Sequence, residues 1–199
     1  MIPYSRQIID SNDIKAVTNV LKSSFLTQGS LIRKFENEIS KKFKSKYVTA
    51  MNSATSALHI ACMALGIKKH DVVWTCTNSF VASSNCALYC GASVDLIDID
   101  PDNFNLNLED LESKLFLAKR LKKLPKLIIP IHFAGLPCDM KKIYGLSKKY
   151  GFRILEDASH AVGSEYYGNK IGNCKYSDIA VFSFHPVKII TTAEGGAAL

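Results

Sequence analysis

The chain has 199 residues, of which 47% are hydrophobic and 22% are charged, a composition typical of a soluble globular protein. No apolar run approaches the roughly 20 residues that a membrane helix needs, and the first ten residues, MIPYSRQIID, are too polar for a secretory signal. We therefore expect a cytoplasmic protein without a membrane partner. The length fits one domain, or part of a larger one.

The formal net charge is +7, and basic residues concentrate in KRLKKLPK at 119–126. Such a cluster can indicate nucleic-acid binding, but this one has no interleaved aromatic residues and precedes an apolar strand. We interpret it as a solvated loop and expect no nucleic-acid partner. The six cysteines show no CxxC pair and no Cys/His ligand spacing, which predicts reduced thiols and no metal site.

Hydrophobic periodicity predicts a regular alternation of helices and strands. In chain order the predicted elements are helices 10–21 and 30–43, strand 47–51, helix 52–66, strand 72–76, helix 79–90, strand 93–99, helix 108–117, strand 126–132, helix 140–150, strands 152–158 and 178–184, and the start of a further strand in GGAAL at 195–199. This alternation predicts an α/β fold whose mainly parallel sheet carries helices on both faces. Because the chain stops inside a predicted strand with no terminal helix to cover it, we expect either a fragment of a longer protein or a sheet that is closed by something outside this sequence.

One lysine occupies a position where α/β proteins bind ligands. Lys188 lies in SFHPVKIITTAEGG (183–196), just past the predicted strand 178–184. Open α/β sheets bind their ligands outside the carboxyl ends of the strands. By position alone, Lys188 could also be an ordinary surface lysine, one of many in this chain.

The run Ser53, Ala54, Thr55, Ser56 follows one predicted strand and begins a helix. The unpaired N–H groups and the positive dipole end of such a helix bind phosphate, and small hydroxyl side chains add donors. The alternative is an ordinary N-cap, for which Ser and Thr are preferred residues.

Two carboxylates, Glu156 and Asp157, end the predicted strand 152–158, and His160 follows three residues later. A charge at the end of an apolar strand needs a partner, which could be a protonated heterocyclic nitrogen or a metal ion. Further metal ligands are lacking, so we favour the nitrogen. Phe80, at the start of helix 79–90, could stack on a planar ligand or pack in the core.

These four features are what pyridoxal 5'-phosphate (PLP) requires together. A phosphate-binding helix end, a carboxylate for the pyridine nitrogen, an aromatic face and a lysine for a Schiff base are all predicted near strand carboxyl ends. The sequence therefore predicts PLP as the cofactor.

The chain also resembles a known family. The motifs NSATSALH, GA at 91–92, DID at 98–100, EDASHA, FSFHPVK and EGG occur in order, and from about residue 26 onward they are similar to the DegT/DnrJ/EryC1/StrS sugar aminotransferases. The resemblance implies the three-layer fold-type-I PLP-dependent transferase architecture. The runs NSATSALH, DASHA and SFHPVKIITTAEGGA look most similar to the transaminases of pseudaminic acid synthesis.

The resemblance implies roles for individual residues. Lys188 matches the Schiff-base lysine, which is the catalytic residue, and Asp157 matches the partner of the pyridine nitrogen. Related sugar dehydratases carry histidine at the lysine position, which favours an aminotransferase here. His160 stands where many members have a glutamine near the phenolic oxygen of the cofactor.

Further cofactor contacts follow from the same resemblance. Thr55, Ser56 and Ser183 match phosphate contacts, and Phe80 matches the aromatic residue that stacks on the ring. The resemblance assigns no role to His185.

The implied activity is transamination of a UDP-linked 2-acetamido-2,6-dideoxy-hexos-4-ulose with L-glutamate as amino donor, in a homodimer. Family members continue past the EGG motif, so we interpret residues 1–199 as an N-terminal segment plus most of the PLP-binding large domain, without the C-terminal small domain. Two alternatives stay open: a truncated, non-catalytic PLP-binding remnant, and another fold-type-I PLP activity such as a desulfurase or aldolase.

Overall fold

A seven-stranded sheet forms the centre of the computed structural model, which describes Ile2 and residues 6–199. In chain order the strands are β1 (Thr49–Met51), β2 (Val72–Cys76), β3 (Ser93–Ile97), β4 (Leu127–Ile129), β5 (Arg153–Asp157), β6 (Glu165–Tyr166), β7 (Asn169–Lys170), β8 (Ile179–Ser183) and β9 (Gly196–Ala198). The order across the sheet is β1-β9-β8-β5-β4-β2-β3, and β6 and β7 form a separate hairpin.

The predicted parallel character of the sheet is confirmed for its larger part. The pairs β2–β3, β2–β4, β4–β5 and β5–β8 are parallel, whereas β9 runs antiparallel to both β8 and β1. The carboxyl ends of β2, β4, β5 and β8 therefore meet at one edge of the sheet.

Six α-helices are present in the described part of the chain, together with a short 3-10 helix at Phe133–Gly135. The α-helices are α1 (Ser11–Leu21), α2 (Ser30–Phe43), α3 (Ala54–Ala64), α4 (Ala82–Tyr89), α5 (Leu108–Arg120) and α6 (Met140–Tyr150). The longest of them, α2, has 14 residues, and no helix among the described residues is long and apolar enough to cross a membrane.

Helices cover both faces of the sheet, as predicted. On one face, α3 and α4 pack over the side chains of β2, β4, β5 and β8, for example Leu155 and Val181. On the other face, α5 and α6 cover residues such as Trp74 and Ile154, and α2 packs on Phe182. Alternation along β5 places Asp157 on the first face and Glu156 on the second.

The structure corrects several predicted boundaries. Strand β4 ends at Ile129 rather than at residue 132, because Pro130 has no N–H for the ladder. Helix α5 continues to Arg120, so KRLKKLPK begins within a helix rather than forming a loop throughout. Helix α4 begins at Ala82 rather than at residue 79, and the β6–β7 hairpin was not predicted.

Candidate functional site

A cavity of about 300 Å³ opens at the carboxyl edge of the sheet, on the face covered by α3 and α4. That volume lies at the lower end of the range of small-molecule sites. The cavity contains six of the seven predicted site residues, which come from separate parts of the chain. They are Thr55, Phe80, Asp157, His160, Ser183 and Lys188.

Lys188 reaches this cavity from a tight turn that follows β8. Its N–H donates to the carbonyl oxygen of His185 at 2.9 Å, and the N–H of Val187 donates to Nδ1 of His185 at 3.3 Å. The exposed His185 thus shapes the turn that holds the lysine, and its Nε2 lies 3.9 Å from Glu194. The surface alternative for Lys188 is wrong, since its side chain is partly buried and lines the cavity.

Lys188 and His160 form a direct hydrogen bond. The Nζ atom of Lys188 lies 2.8 Å from Nε2 of His160. An ammonium group can only donate, so whenever Lys188 is charged, Nε2 of His160 accepts and the imidazole proton sits on Nδ1. The bond fixes where the amine lies in the cavity.

Both partners have lowered pKa values. Burial lowers the pKa of Lys188, and the carboxylate of Asp157 opposes that shift. The pKa of His160 is lowered mainly by burial and further by the neighbouring Lys188 charge. The carboxylate of Asp157 opposes this shift as well. A lowered lysine pKa means that more of the amine is neutral, and therefore nucleophilic, near neutral pH.

The lowered pKa predicts that Lys188 reacts with an amine reagent at a pH where an ordinary lysine, with a pKa of about 10.4, is still protonated. The ligand-free protein is labelled at a series of pH values, and peptide mass mapping measures how much Lys188 has reacted at each pH. The exposed Lys41 of the same protein serves as the reference. Asp157→Asn removes the opposing charge and should move the Lys188 profile to still lower pH. A Lys188 profile that coincides with that of Lys41 would contradict the prediction.

Asp157 is 4% exposed and ends β5 inside the cavity. Its Oδ2 accepts a 2.5 Å hydrogen bond from the hydroxyl of Ser83, and its Oδ1 accepts from the N–H of Ser159 at 3.1 Å. These two donors hold the orientation of the carboxylate. Ser83 was not predicted as a site residue, because nothing in the sequence of α4 indicates its contact with Asp157, 74 residues further along the chain.

The N-terminus of α3 forms another wall of the cavity. Ser53 is the N-cap, and its hydroxyl accepts from the N–H of Ser56 at 3.1 Å, so the cap interpretation is correct. Ala54 and Thr55 also line the cavity, and the first N–H groups of a helix have no intrahelical acceptor. The same segment can therefore both cap the helix and bind an anion.

Ser56 is the predicted site residue that does not line the cavity. Its hydroxyl donates to Oδ1 of Asn52 at 2.7 Å and lies 3.0 Å from that of Ser53. These local bonds occupy the side chain in the structure, and Ser56 stabilises the start of the helix from the outer side.

Phe80 is 70% exposed and borders the cavity. The core alternative for Phe80 is therefore wrong. An exposed aromatic face at the rim of a cavity is suited to stacking on a planar ligand.

The lining residues fit the chemistry of PLP. A helix N-terminus with Thr55 and Ser183 suits the phosphate group, the buried Asp157 carboxylate suits a protonated ring nitrogen, and the Lys188 amine suits a covalent link. In the described part of the chain, no group of three or more His, Cys, Asp or Glu side chains is arranged to hold a metal ion.

Comparison with known proteins identifies relatives along the whole chain. The DegT/DnrJ/EryC1/StrS aminotransferase family matches residues 7–199. Two proteins from different Campylobacter jejuni strains are 44% and 41% identical to this chain over 199 residues. Both are named UDP-4-amino-4,6-dideoxy-N-acetyl-beta-L-altrosamine transaminase. The chain spans about half the length of these relatives, 51% in each case.

Solved structures share the fold. Helicobacter pylori PseC, an aminotransferase involved in the biosynthesis of pseudoaminic acid, is 34% identical with a TM-score of 0.87, over 98% of this chain and 51% of PseC. Spr1654 of Streptococcus pneumoniae in its PMP form is 30% identical with a TM-score of 0.88, over 99% of this chain and 52% of Spr1654. Spr1654 is also solved in a PLP form.

These findings confirm the predicted fold-type-I architecture and the predicted cofactor, since the members of this family use PLP. The chain belongs to the DegT/DnrJ/EryC1/StrS aminotransferase family.

Proposed function

We propose that the protein carrying this chain transfers an amino group from L-glutamate to the 4-keto group of a nucleotide-linked 6-deoxy sugar, with PLP as cofactor. The substrate we favour is UDP-2-acetamido-2,6-dideoxy-hexos-4-ulose, because the Campylobacter relatives are named as transaminases of a UDP-linked 4-amino-4,6-dideoxy sugar. The similarity to PseC, an aminotransferase of pseudoaminic acid biosynthesis, supports a role in the synthesis of that sugar.

The observation that carries this proposal is the convergence of Lys188, Asp157 and the start of α3 on one cavity. Bound PLP supplies an electron sink for the charge left when a proton leaves the α-carbon of the amino donor. Lys188 is the covalent attachment point and, once released, the base that moves this proton. Its lowered pKa suits that task, because a neutral amine can accept a proton near neutral pH.

The other lining residues hold and orient the cofactor in this proposal. Asp157 keeps the ring nitrogen protonated, and Ser83 and the Ser159 N–H fix the direction of its carboxylate. Thr55, Ser183 and the first N–H groups of α3 bind the phosphate group. Ser56 contributes through the shape of the helix start rather than by lining the cavity.

Phe80 and His160 complete the proposed site. Phe80 covers one face of the ring, which its exposure at the rim permits. His160 holds the free amine of Lys188 through Nε2 and would be the residue that contacts the phenolic oxygen of bound PLP. Both side chains act by position, since neither needs to exchange a proton with the substrate.

We place residues 1–199 as the N-terminal segment and most of the PLP-binding large domain of a homodimeric protein. The matched relatives are about twice as long, which leaves room for a C-terminal small domain. Residues from that domain and from the partner subunit would complete the sugar and donor contacts in this proposal.

The test is incubation of the full-length natural protein with PLP, glutamate carrying heavy nitrogen, and a panel of UDP- and dTDP-linked 4-keto sugars. We expect mass spectrometry to detect heavy nitrogen in an aminated UDP sugar, with 2-oxoglutarate formed in equal amount. Turnover of a small amino acid without any keto sugar would instead support a different fold-type-I activity. Absence of both turnover and a visible cofactor band would support a non-catalytic remnant.

A further inference from the structure

A buried polar network lies behind Asp157, on the opposite face of β5. Nε2 of His132 lies 2.7 Å from Oε2 of Glu156, and the hydroxyl of Ser177 donates to Oε1 of the same carboxylate. His132 is fully buried and Glu156 is 3% exposed. We call His132, Glu156 and Ser177 the Glu156 network.

The hydrogen bonds define the tautomer of His132. The N–H of Cys138 donates to Nδ1 of His132 at 3.1 Å, so Nδ1 carries a lone pair and not a proton. The imidazole proton of the neutral ring therefore sits on Nε2 and points at Glu156. Glu156 is thus a carboxylate that accepts two hydrogen bonds from neutral donors.

No lysine or arginine of the described chain lies within ion-pair distance of Glu156. A buried carboxylate without a cation reduces stability relative to well-packed apolar side chains. The two thiols next to it stay neutral, because burial, with the Glu156 charge as a further cause, raises the pKa of Cys174 to about 12 and that of Cys138 higher still. Packing alone does not account for such a network.

The network connects to Asp157 through the backbone. Pro130 interrupts the ladder between β4 and β5, and beyond it the N–H of Asp157 donates to the Pro130 carbonyl at 2.9 Å. The N–H of His132 donates to the Asp157 carbonyl at 3.1 Å. His132 therefore bonds Asp157 through its main chain and the adjacent Glu156 through its side chain.

We propose that the Glu156 network positions Asp157, by fixing the segment 130–132 against the end of β5 where Pro130 leaves the ladder incomplete. The inference rests on the proposed function, in which Asp157 binds the ring nitrogen of PLP. Glu156 and Asp157 are consecutive residues on opposite faces of β5, so the backbone that the Glu156 network holds in place also carries the Asp157 carboxylate into the cavity. The network residues are positioning residues, because they line the far side of the strand from the cavity.

The experiment compares PLP binding by the full-length wild type, His132→Leu, His132→Gln and Ser177→Ala. The leucine variant removes the donor to Glu156, whereas the glutamine amide can restore it. Ser177→Ala removes the other donor and leaves His132 in place, so it tests the network if the leucine variant fails to fold. Asp71→Asn is the control, because it breaks the 2.8 Å ion pair with Lys126 at the opposite end of the sheet.

Two quantities are measured besides the melting temperature. They are the dissociation constant of PLP, and the pH midpoint of ring-nitrogen protonation, followed by the nitrogen chemical shift of ring-labelled PLP at saturation. For His132→Leu we expect the dissociation constant to rise about tenfold and the midpoint to fall by about one unit, because a displaced Asp157 stabilises the protonated ring less. Ser177→Ala should cause a smaller rise in the dissociation constant and a smaller fall in the midpoint. His132→Gln should recover most of the wild-type value of each quantity.

An unchanged midpoint in His132→Leu and Ser177→Ala, with a melting temperature lowered as in Asp71→Asn, would overturn the positioning role and leave the proposed function intact. The positioning role would also be overturned if Asp71→Asn shifted the midpoint as much as His132→Leu does. If the wild type binds no PLP and shows no visible band, the proposed function fails and this inference fails with it.

Discussion

Lys188→Ala should lower the rate of amino transfer by at least about four orders of magnitude and remove the visible band of the bound cofactor. The variant loses both the covalent attachment point and the base, and a positioned acid–base group alone contributes about 10²- to 10⁴-fold. Absorbance of the purified protein with PLP and turnover with heavy-nitrogen glutamate measure the two effects.

The same substitution has a readout that does not depend on activity. Lys188 lowers the pKa of His160, so its removal should raise that pKa. The signal of His160 in an NMR titration of ligand-free protein should therefore move to higher pH. Lys41→Ala, which alters an exposed lysine on α2, should leave turnover, the visible band and the His160 titration unchanged.

Retention of the visible band and of turnover in Lys188→Ala would refute the assignment of the attachment lysine. An unshifted His160 titration would show instead that the 2.8 Å contact with His160 does not persist in solution.

Gly196→Ala is the second substitution with a large expected effect. A Cβ atom at this position would lie 2.4 Å from the backbone N of Ala54 and 2.5 Å from the carbonyl carbon of Ser53. Backbone atoms at a helix start cannot move aside as a side chain can, so β9 and the start of α3 must separate. We expect the free energy of unfolding to fall by about 1–3 kcal/mol and PLP to bind at least about tenfold more weakly.

Gly145→Ala is the matched control for this substitution. Gly145 lies within α6, and its added Cβ would meet no atom within 4 Å. Alanine is favoured over glycine inside a helix by roughly 0.5–1 kcal/mol, so Gly145→Ala should stabilise the protein and leave PLP affinity unchanged. Denaturant unfolding and cofactor titration of both variants provide the comparison. Equal PLP affinity in the two variants would contradict the proposed close contact of β9 with the phosphate-binding helix end.

The sequence by itself determined the alternation of elements and most of their bounds. The predicted helices 30–43 and 140–150 and strand 72–76 agree with α2, α6 and β2, because apolar periodicity and glycine or capping residues are local signals. It also predicted Lys188 and Asp157 as site residues, since a lysine and a carboxylate at the ends of apolar strands stand out from their neighbours, and both line the cavity in the structure. Four site features taken together predicted the cofactor, and the family motifs added the reaction class.

Contacts between distant segments were decided only by the tertiary structure. The hydroxyl of Ser83 on Asp157, the bond between Lys188 and His160 and the contact of Gly196 with Ala54 join residues that no local pattern relates. The antiparallel placement of β9 between β8 and β1 likewise depends on how the whole sheet assembles.

Glu156 shows most clearly which features follow from the sequence and which depend on the tertiary structure. In the sequence, Glu156 and Asp157 are adjacent carboxylates at the end of one predicted strand, and the pattern does not tell them apart. Folding separates them onto opposite faces, so that Asp157 lines the cavity while Glu156 bonds to His132 and Ser177 in the core. Strand alternation could be predicted from the chain, but which face would hold the cavity depended on the helices that pack there.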